Sequence, residues 1–166
     1  RPALRPTPAL LKRAVDSVLV AARRGDALGP ESLLVLVTSD VDSIRHVGVA
    51  HLLRAAQTLQ DADGAFFLAA LTPDGGIVDR EKHLGVNAEW LLAFAGAARK
   101  TGRADLRAVA EALGEAILRG FRTPGEAMLC AGWAGWVDGD GQSLRDPAVY
   151  AGWNAAAISG LLALYA

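Results

Sequence analysis

Apolar residues recur along most of this chain at the three-to-four spacing of an amphipathic helix, and that spacing places a series of helices. Leu11, Val15, Val18, Leu19 and Ala22 form one stripe, which predicts a first helix over about Thr7 to Arg24. Thr7 can cap it, and Pro8 suits the first helical position, where no N–H is needed. Gly25 stops it, and Gly29-Pro30 reads as a loop. The unbroken run Leu33 to Val37 fits either a buried strand or a helix by periodicity, and its helical neighbours favour helix. Ile44, Val47, His51, Leu52, Ala55 and Leu59 mark a helix over about Asp42 to Leu59. Leu84, Asn87, Leu91, Phe94 and Ala98 mark one over about Arg80 to Lys100, closed by Thr101-Gly102. Leu106, Val109, Leu113, Ile117 and Phe121 give the cleanest buried face, over about Ala104 to Phe121. On another face Arg107 and Glu111, and Glu115 and Arg119, stand four apart as ion-pair candidates. The last helix is expected from near Pro147, carrying Tyr150, Trp153, Ala157, Leu161 and Leu164.

The intervening segments are rich in turn residues. Asp63-Gly64 and Pro73-Asp74-Gly75-Gly76 punctuate 61–79, which reads as a long connection with room for a short hairpin. Residues 126–147 show no helical pattern. A rough repeat emerges: helix, short connection, helix, then a long Gly-rich connection. Antiparallel helix pairs of this kind need a second layer, and an (α/α) toroid or a plain bundle supplies one. The last helix is still apolar where the chain stops, which argues for a neighbour: another chain, another domain or more of the same protein. The chain opens on Arg1 rather than Met, which suggests a processed protein or an excised piece.

Composition narrows the classes. The 166 residues suit a single helical domain, 1–166, and a hydrophobic share of 52% argues against wholesale disorder. A formal net charge of −1 lacks the basic excess of a nucleic-acid binder. Charges interrupt every apolar run before the ~18 residues of a membrane span, and no targeting segment is evident. A cytoplasmic location is therefore expected, without nucleic-acid or membrane partners. Cys130 is the single cysteine, which excludes an internal disulfide framework or a multi-cysteine zinc site. His46 and His51 lack metal-ligand spacing, so no metal and no cofactor are expected.

Two stretches carry a family resemblance. Asp79-Arg80-Glu81-Lys82-His83-Leu84-Gly85-Val86-Asn87-Ala88 is similar to a His-Phe/Tyr-Glu-Lys-Met-Leu-x-Asp-Asn-Ala segment, and Tyr150-Ala151-Gly152-Trp153-Asn154-Ala155 to Tyr-Thr-x-Trp-Asn-Ala/Gly. Between them, Leu91 to Gly102 and the helix from Ala104 keep the same order. Together, residues from about Gly75 to Ala166 resemble the helical, N-acylglucosamine 2-epimerase-like region of the thioredoxin-domain-containing, spermatogenesis-associated family. The resemblance implies a partial (α/α) toroid of the six-hairpin kind, with Gly-rich loops on one rim around a cavity. The family's toroid is about twice this long. Asp79 stands where the family has His, and Val86 where it has Asp. Its acidic loop becomes Gly125 to Gly141, with Trp133 and Trp136 inserted. These departures imply that part of the family's chemistry is lost.

The expected fold is thus all-α: antiparallel helix pairs from a toroid. Trp133, Trp136, Tyr150, Trp153 and Asn154 are the candidate ligand-binding group, because sugars dock on aromatic faces and amides read hydroxyls. The competing reading has the tryptophans plugging the core and Asn87 and Asn154 pinning loops to helices. Glu81, Asp138 and Asp140 are the candidate catalytic acids. Glu81 with Lys82 and His83 reads equally as the first turn of a helix, and Asp138-Gly139-Asp140-Gly141 as a tight turn, because Val149 occupies the twelfth position where a calcium loop needs Glu. The functional expectation is a cavity for a carbohydrate-like small molecule. The alternatives are an interaction module that packs its apolar edge on itself or a partner, and an accessory domain for a thioredoxin-type protein.

Overall fold

The clean stripe from Leu106 to Phe121 folds as expected: Leu106, Leu113, Ile117 and Phe121 are all fully buried, each worth roughly 1.5–3 kcal/mol. They belong to a computed structural model that describes residues 8–66, 81–122, 125, 129–130, 132–137 and 143–165. The helices are α1 (Pro8–Arg24), α2 (Pro30–Val37), α3 (Asp42–Leu59), α4 (Leu84–Thr101), α5 (Ala104–Gly120) and α6 (Ala151–Tyr165). Three short strands accompany them: β1 (Lys82–His83), β2 (Gly132–Val137) and β3 (Ser143–Asp146).

The helices form two layers. α2, α4 and α6 lie side by side, with α4 in the middle, and α3 and α5 pack against α2 and α4 while α1 touches α2 and α3. Close approaches set the directions. A Cβ on Gly96 of α4 would meet Leu34 and Thr38 at the end of α2, and one on Gly85, in the first turn of α4, would meet Trp153 in the first turn of α6. The inner helices α2, α4 and α6 are therefore parallel. α3 returns antiparallel to α2, because Gly48 near its start meets Leu36 and Val37 at the end of α2. Short turns join α2 to α3 and α4 to α5. Gly102, at φ +68°, supplies the left-handed cap that lets α5 start at Ala104. Lys100 Nζ donates to Asp40 Oδ1 at 2.5 Å, tying the two short turns together. The described parts of the three longer connections, 25–29, 60–66 with 81–83, and 121–122, 129–130, 132–137 and 143–150, lie at the other end. This is the all-α toroid layout: two α-hairpins, α2–α3 and α4–α5, flanked by α1 and α6, with the described parts of the long crossings at one mouth.

Several boundaries differ from the sequence reading. Gly29-Pro30 is not a loop, because Gly29 is the N-cap position of α2 and Pro30 its first residue. α6 begins at Ala151, not near Pro147, because Asp146 still pairs in β3 and the residue before a proline prefers extended backbone. α4 begins at Leu84, not near Arg80, because Lys82 and His83 pair with Trp133 and Gly132 in a three-stranded antiparallel sheet ordered β1-β2-β3. That sheet is the one element the helical reading omits. Glu115 and Arg119 do not pair; Arg119 Nη2 instead donates to the Asp63 carbonyl at 3.0 Å, whereas Arg107 Nε reaches Glu111 Oε1 at 2.8 Å as expected.

The rough repeat has an atomic form. Asn87, in the first turn of α4, accepts from Phe66 N at 2.7 Å and donates to the carbonyls of Phe66 and His83, both at 3.0 Å. Asn154, in the first turn of α6, accepts from Leu129 N at 2.8 Å and donates to the carbonyls of Leu129 at 3.0 Å and Tyr150 at 3.2 Å. Each clasped residue also forms an isolated bridge just past an outer helix, Phe66 with Gln60 and Leu129 with Arg122. Two hairpins thus fasten their crossings with the same device: one buried amide saturated by backbone groups. Phe66 is further held by Trp90 (centroids 5.1 Å apart) and Phe94 (5.6 Å) of α4.

Candidate functional site

At the mouth, β1 sets alternate side chains on opposite sides. Lys82 points inward and is fully buried. Its Nζ donates to Asp61 Oδ2 at 2.7 Å and to Asp63 Oδ2 at 2.5 Å. Both carboxylates also accept from loop N–H groups, Ala62 N at 2.8 Å and Ala65 N at 2.9 Å. This cluster ties the crossing after α3 to the strand before α4. Glu81 and His83 flank Lys82 and are exposed and half-buried. Glu81 Oε2 and His83 Nε2 lie 2.9 Å apart, within hydrogen-bond reach. The candidate acid Glu81 therefore lies just before the strand entering α4, not in a helical turn.

The His83 ring meets Trp153 edge-on at 6.2 Å, and Tyr150 packs on Trp153 at 4.6 Å. Trp153 is half-buried and Tyr150 is 50% exposed. The Trp153 indole lies over Gly85: a Cβ there would sit 2.9 Å from Nε1. Gly85 shares a face of α4 with Glu89 and Leu92, at i, i+4 and i+7; Gly85 meets Trp153 of α6, and Glu89 feels the charge of Glu31 on α2. Burial pushes the Glu89 carboxyl up from its ordinary value, and the negative charge of Glu31 on α2 adds to the shift. The arrangement therefore offers an aromatic platform, a carboxyl inclined to hold its proton, a second carboxylate, and a Glu–His pair at the rim.

Of the residues read from sequence, the structure brings Glu81, Tyr150 and Trp153 together through His83. Asn154 is buried one position beyond Trp153, with its amide engaged by Leu129 and Tyr150. Trp133 and Trp136 lie on β2, where Trp133 pairs with Lys82; their rings are outside the description. Asp138 and Asp140 lie outside the described residues. Glu89 was missed by motif. The available signal was its isolation: it is the one charged residue between Leu84 and Ala98 in an otherwise apolar helix. Among the described residues, no group of three or more His, Cys, Asp or Glu could hold a metal ion, and no helix is long and apolar enough to cross a membrane.

No family profile matches the chain, and no curated protein matches it in sequence. Solved structures do match. One is the unsaturated glucuronyl hydrolase of Bacillus sp. GL1, responsible for the degradation of glycosaminoglycan, at TM-score 0.67 and 19% identity over 95% of this chain. Another is a variant of UGL with dGlcA-Glc-Rha-Glc, at TM-score 0.66 and 19% identity, again over 95% of this chain. The chain spans 50% of the length of each. At this identity the likeness is one of fold: the chain's six helices have the architecture of part of an (α/α) toroid.

Proposed function

We propose that the mouth of this half-toroid binds a carbohydrate-like small molecule, with one sugar ring laid on the Trp153–Tyr150 pair and its hydroxyls or glycosidic oxygen turned toward Glu89. The observation that carries the reading is the Trp153 indole over Gly85, one helical turn from a half-buried carboxyl whose affinity for a proton is raised. Aromatic faces beside a few convergent polar groups suit a sugar. A pair of carboxyls with different proton affinities is also what acid-assisted cleavage of a glycosidic bond requires. In that chemistry Glu89 would donate the proton, while Glu31 or the Glu81–His83 pair would steady the opposing charge or water. One matched structure is an unsaturated glucuronyl hydrolase, responsible for the degradation of glycosaminoglycan, which makes unsaturated glucuronyl saccharides the first ligands to try. The resemblance of residues 75–166 to an epimerase-like family makes amino sugars the second.

Tryptophan fluorescence titration tests the reading. The wild type is expected to respond saturably to one of these saccharides, and Trp153→Leu is expected to lose the response while keeping its far-UV circular dichroism. Glu89→Gln should retain binding but abolish any turnover. Failure of glucuronyl disaccharides, amino sugars and plain hexoses to perturb the wild type at millimolar concentration would refute it.

A further inference from the structure

α4 and α6 carry the amide clasp, and α2, the inner helix parallel to them, does not. Asn87 is the fourth residue of α4 and Asn154 the fourth of α6, and each binds the backbone of the crossing that precedes its helix. The fourth residue of α2 is Leu33, which has no polar group to offer the crossing before it. That crossing, 25–29, is fastened only where it leaves α1: Gly25 takes φ +82°, and Asp26 N donates to the Ala21 carbonyl at 3.1 Å. Where the clasp is missing, the packing opens. A cavity of about 160 Å³ lies between 25–28 and the second half of α3. Leu33 stands about 200° round α2 from Glu31, whose charge Glu89 feels, so the cavity lies across α2 from the proposed sugar site.

Its lining names a ligand chemistry. Leu28, Leu33, Ala55 and Leu59 form an apolar wall, and His51 and Arg54 of α3 line it beside them. His51 Nε2 lies 3.1 Å from the Ala22 carbonyl, which can only accept, so Nε2 carries the proton and the ring is held against the end of α1. Among the described residues, the exposed Arg54 guanidinium has no hydrogen-bond or ion-pair partner. The acid beside the cavity, Asp26, is already engaged by Arg24 at 3.0 Å. An apolar cavity of ~150 Å³ holds one benzene-sized molecule. A free guanidinium at its edge selects a carboxylate, which it can bind through two parallel N–H···O bonds. We propose that this cavity binds a small monocarboxylate whose body is a single ring, benzoate being the simplest, with the ring against the leucines and Ala55 and the carboxylate on Arg54. Such a ligand gives the first crossing what Asn87 and Asn154 give the later two, a tie between the crossing and the helices beneath it.

Benzoate titrated into the isotope-labelled 166-residue chain tests this through amide chemical shifts, with benzyl alcohol and acetate as probes that lack the charge and the ring. Saturable benzoate shifts are expected at 25–28 and 51–59 and none at Glu89 or Trp153, which separates this binding from that of a sugar. Benzyl alcohol and acetate should each bind at least about tenfold more weakly. Arg54→Gln, at an exposed position, should keep its far-UV circular dichroism and lose at least about tenfold in benzoate affinity, with benzyl alcohol unchanged. Ala55→Leu fills the cavity and should abolish binding of both; the benzoate preference of wild type over Arg54→Gln decides the matter if Ala55→Leu does not fold. No saturable shift at millimolar benzoate, shifts confined to residues away from the cavity, or equal benzoate affinity in wild type and Arg54→Gln would each overturn the inference.

Discussion

Replacing Asn87 by alanine is expected to be the most damaging single change in the crossing between α3 and α4. Asn87 is fully buried, and its amide makes three hydrogen bonds to backbone. Alanine leaves the buried Phe66 N–H without that acceptor, which costs about 1–3 kcal/mol, and leaves two carbonyls short of a donor at a smaller cost each. The total works out at about 3 kcal/mol, a large fraction of the ~5–15 kcal/mol of a typical domain. Asn154→Ala removes the same pattern from the next hairpin, but its clasped residue, Leu129, is only half-buried, so the loss should be nearer ~2 kcal/mol. Asn87→Asp separates the two halves of the clasp. It keeps the acceptor for Phe66 N but turns a carboxylate on two carbonyls, so it should be worse than alanine at neutral pH and recover as the carboxyl protonates. Urea unfolding followed by circular dichroism measures all three. A loss below ~1 kcal/mol for Asn87→Ala, or no pH dependence for Asn87→Asp, would refute the clasp as the fastening of the mouth.

Three further outcomes follow from the same packing. Gly48→Ala would put a Cβ 2.7 Å from Leu36 Cβ and 3.0 Å from Val37 N, forcing α2 and α3 apart at a cost of about 1–3 kcal/mol, whereas Gly152→Ala, with nothing within 4 Å, should be neutral or stabilising in thermal unfolding. Lys82→Met removes a buried charge and leaves two carboxylates that keep some solvent, while Asp61→Asn with Asp63→Asn strips those partners from the buried ammonium; the double change should cost more, about 3–5 kcal/mol, and equal losses in denaturant titrations would contradict the cluster's asymmetry. Glu89 has its affinity for a proton raised in the folded state above the ordinary 4.5, so its stabilising share is present below that value and is lost as pH rises through the shifted one. Glu89→Gln should therefore be more stable than wild type at neutral pH, with the gap closing on acidification; a gap that widens in acid would reverse the sign of the argument.

Much of the helical framework was legible in the sequence because burial there repeats at helical period. α3 falls on Asp42–Leu59 as the Ile44–Leu59 stripe indicates, and α5 ends at Gly120, one residue short of Phe121. The run from Leu33 to Val37 resolved to helix, as its neighbours indicated. The rims were less legible. β1 is two residues long, too short to show alternation, and β2 reads Gly-Trp-Ala-Gly-Trp-Val, whose glycines hide the strand pattern. The start of α4 was misplaced for the same reason: the partner that holds Lys82 and His83 extended lies some fifty residues downstream. The pinning role of Asn87 and Asn154 was readable, since a buried amide on an apolar face needs partners. The Glu89 site was not, because it depends on α2 bringing Glu31 alongside α4 and on α6 laying Trp153 over Gly85, contacts that no local pattern encodes.

The claim beneath all of this is that the long crossings share one end of the helices and the short turns the other. Spin-label distances test it directly, with one label pair at Val41 and Arg103 and another at Val41 and Ala62, all exposed positions. α3 has 18 residues, which sets its ends about 27 Å apart. The Val41–Ala62 distribution should centre near or beyond that length, and the Val41–Arg103 distribution should be clearly shorter, since Lys100 reaches Asp40 across the same end. A Val41–Arg103 distance equal to or longer than the Val41–Ala62 distance would contradict the layout and dissolve the mouth.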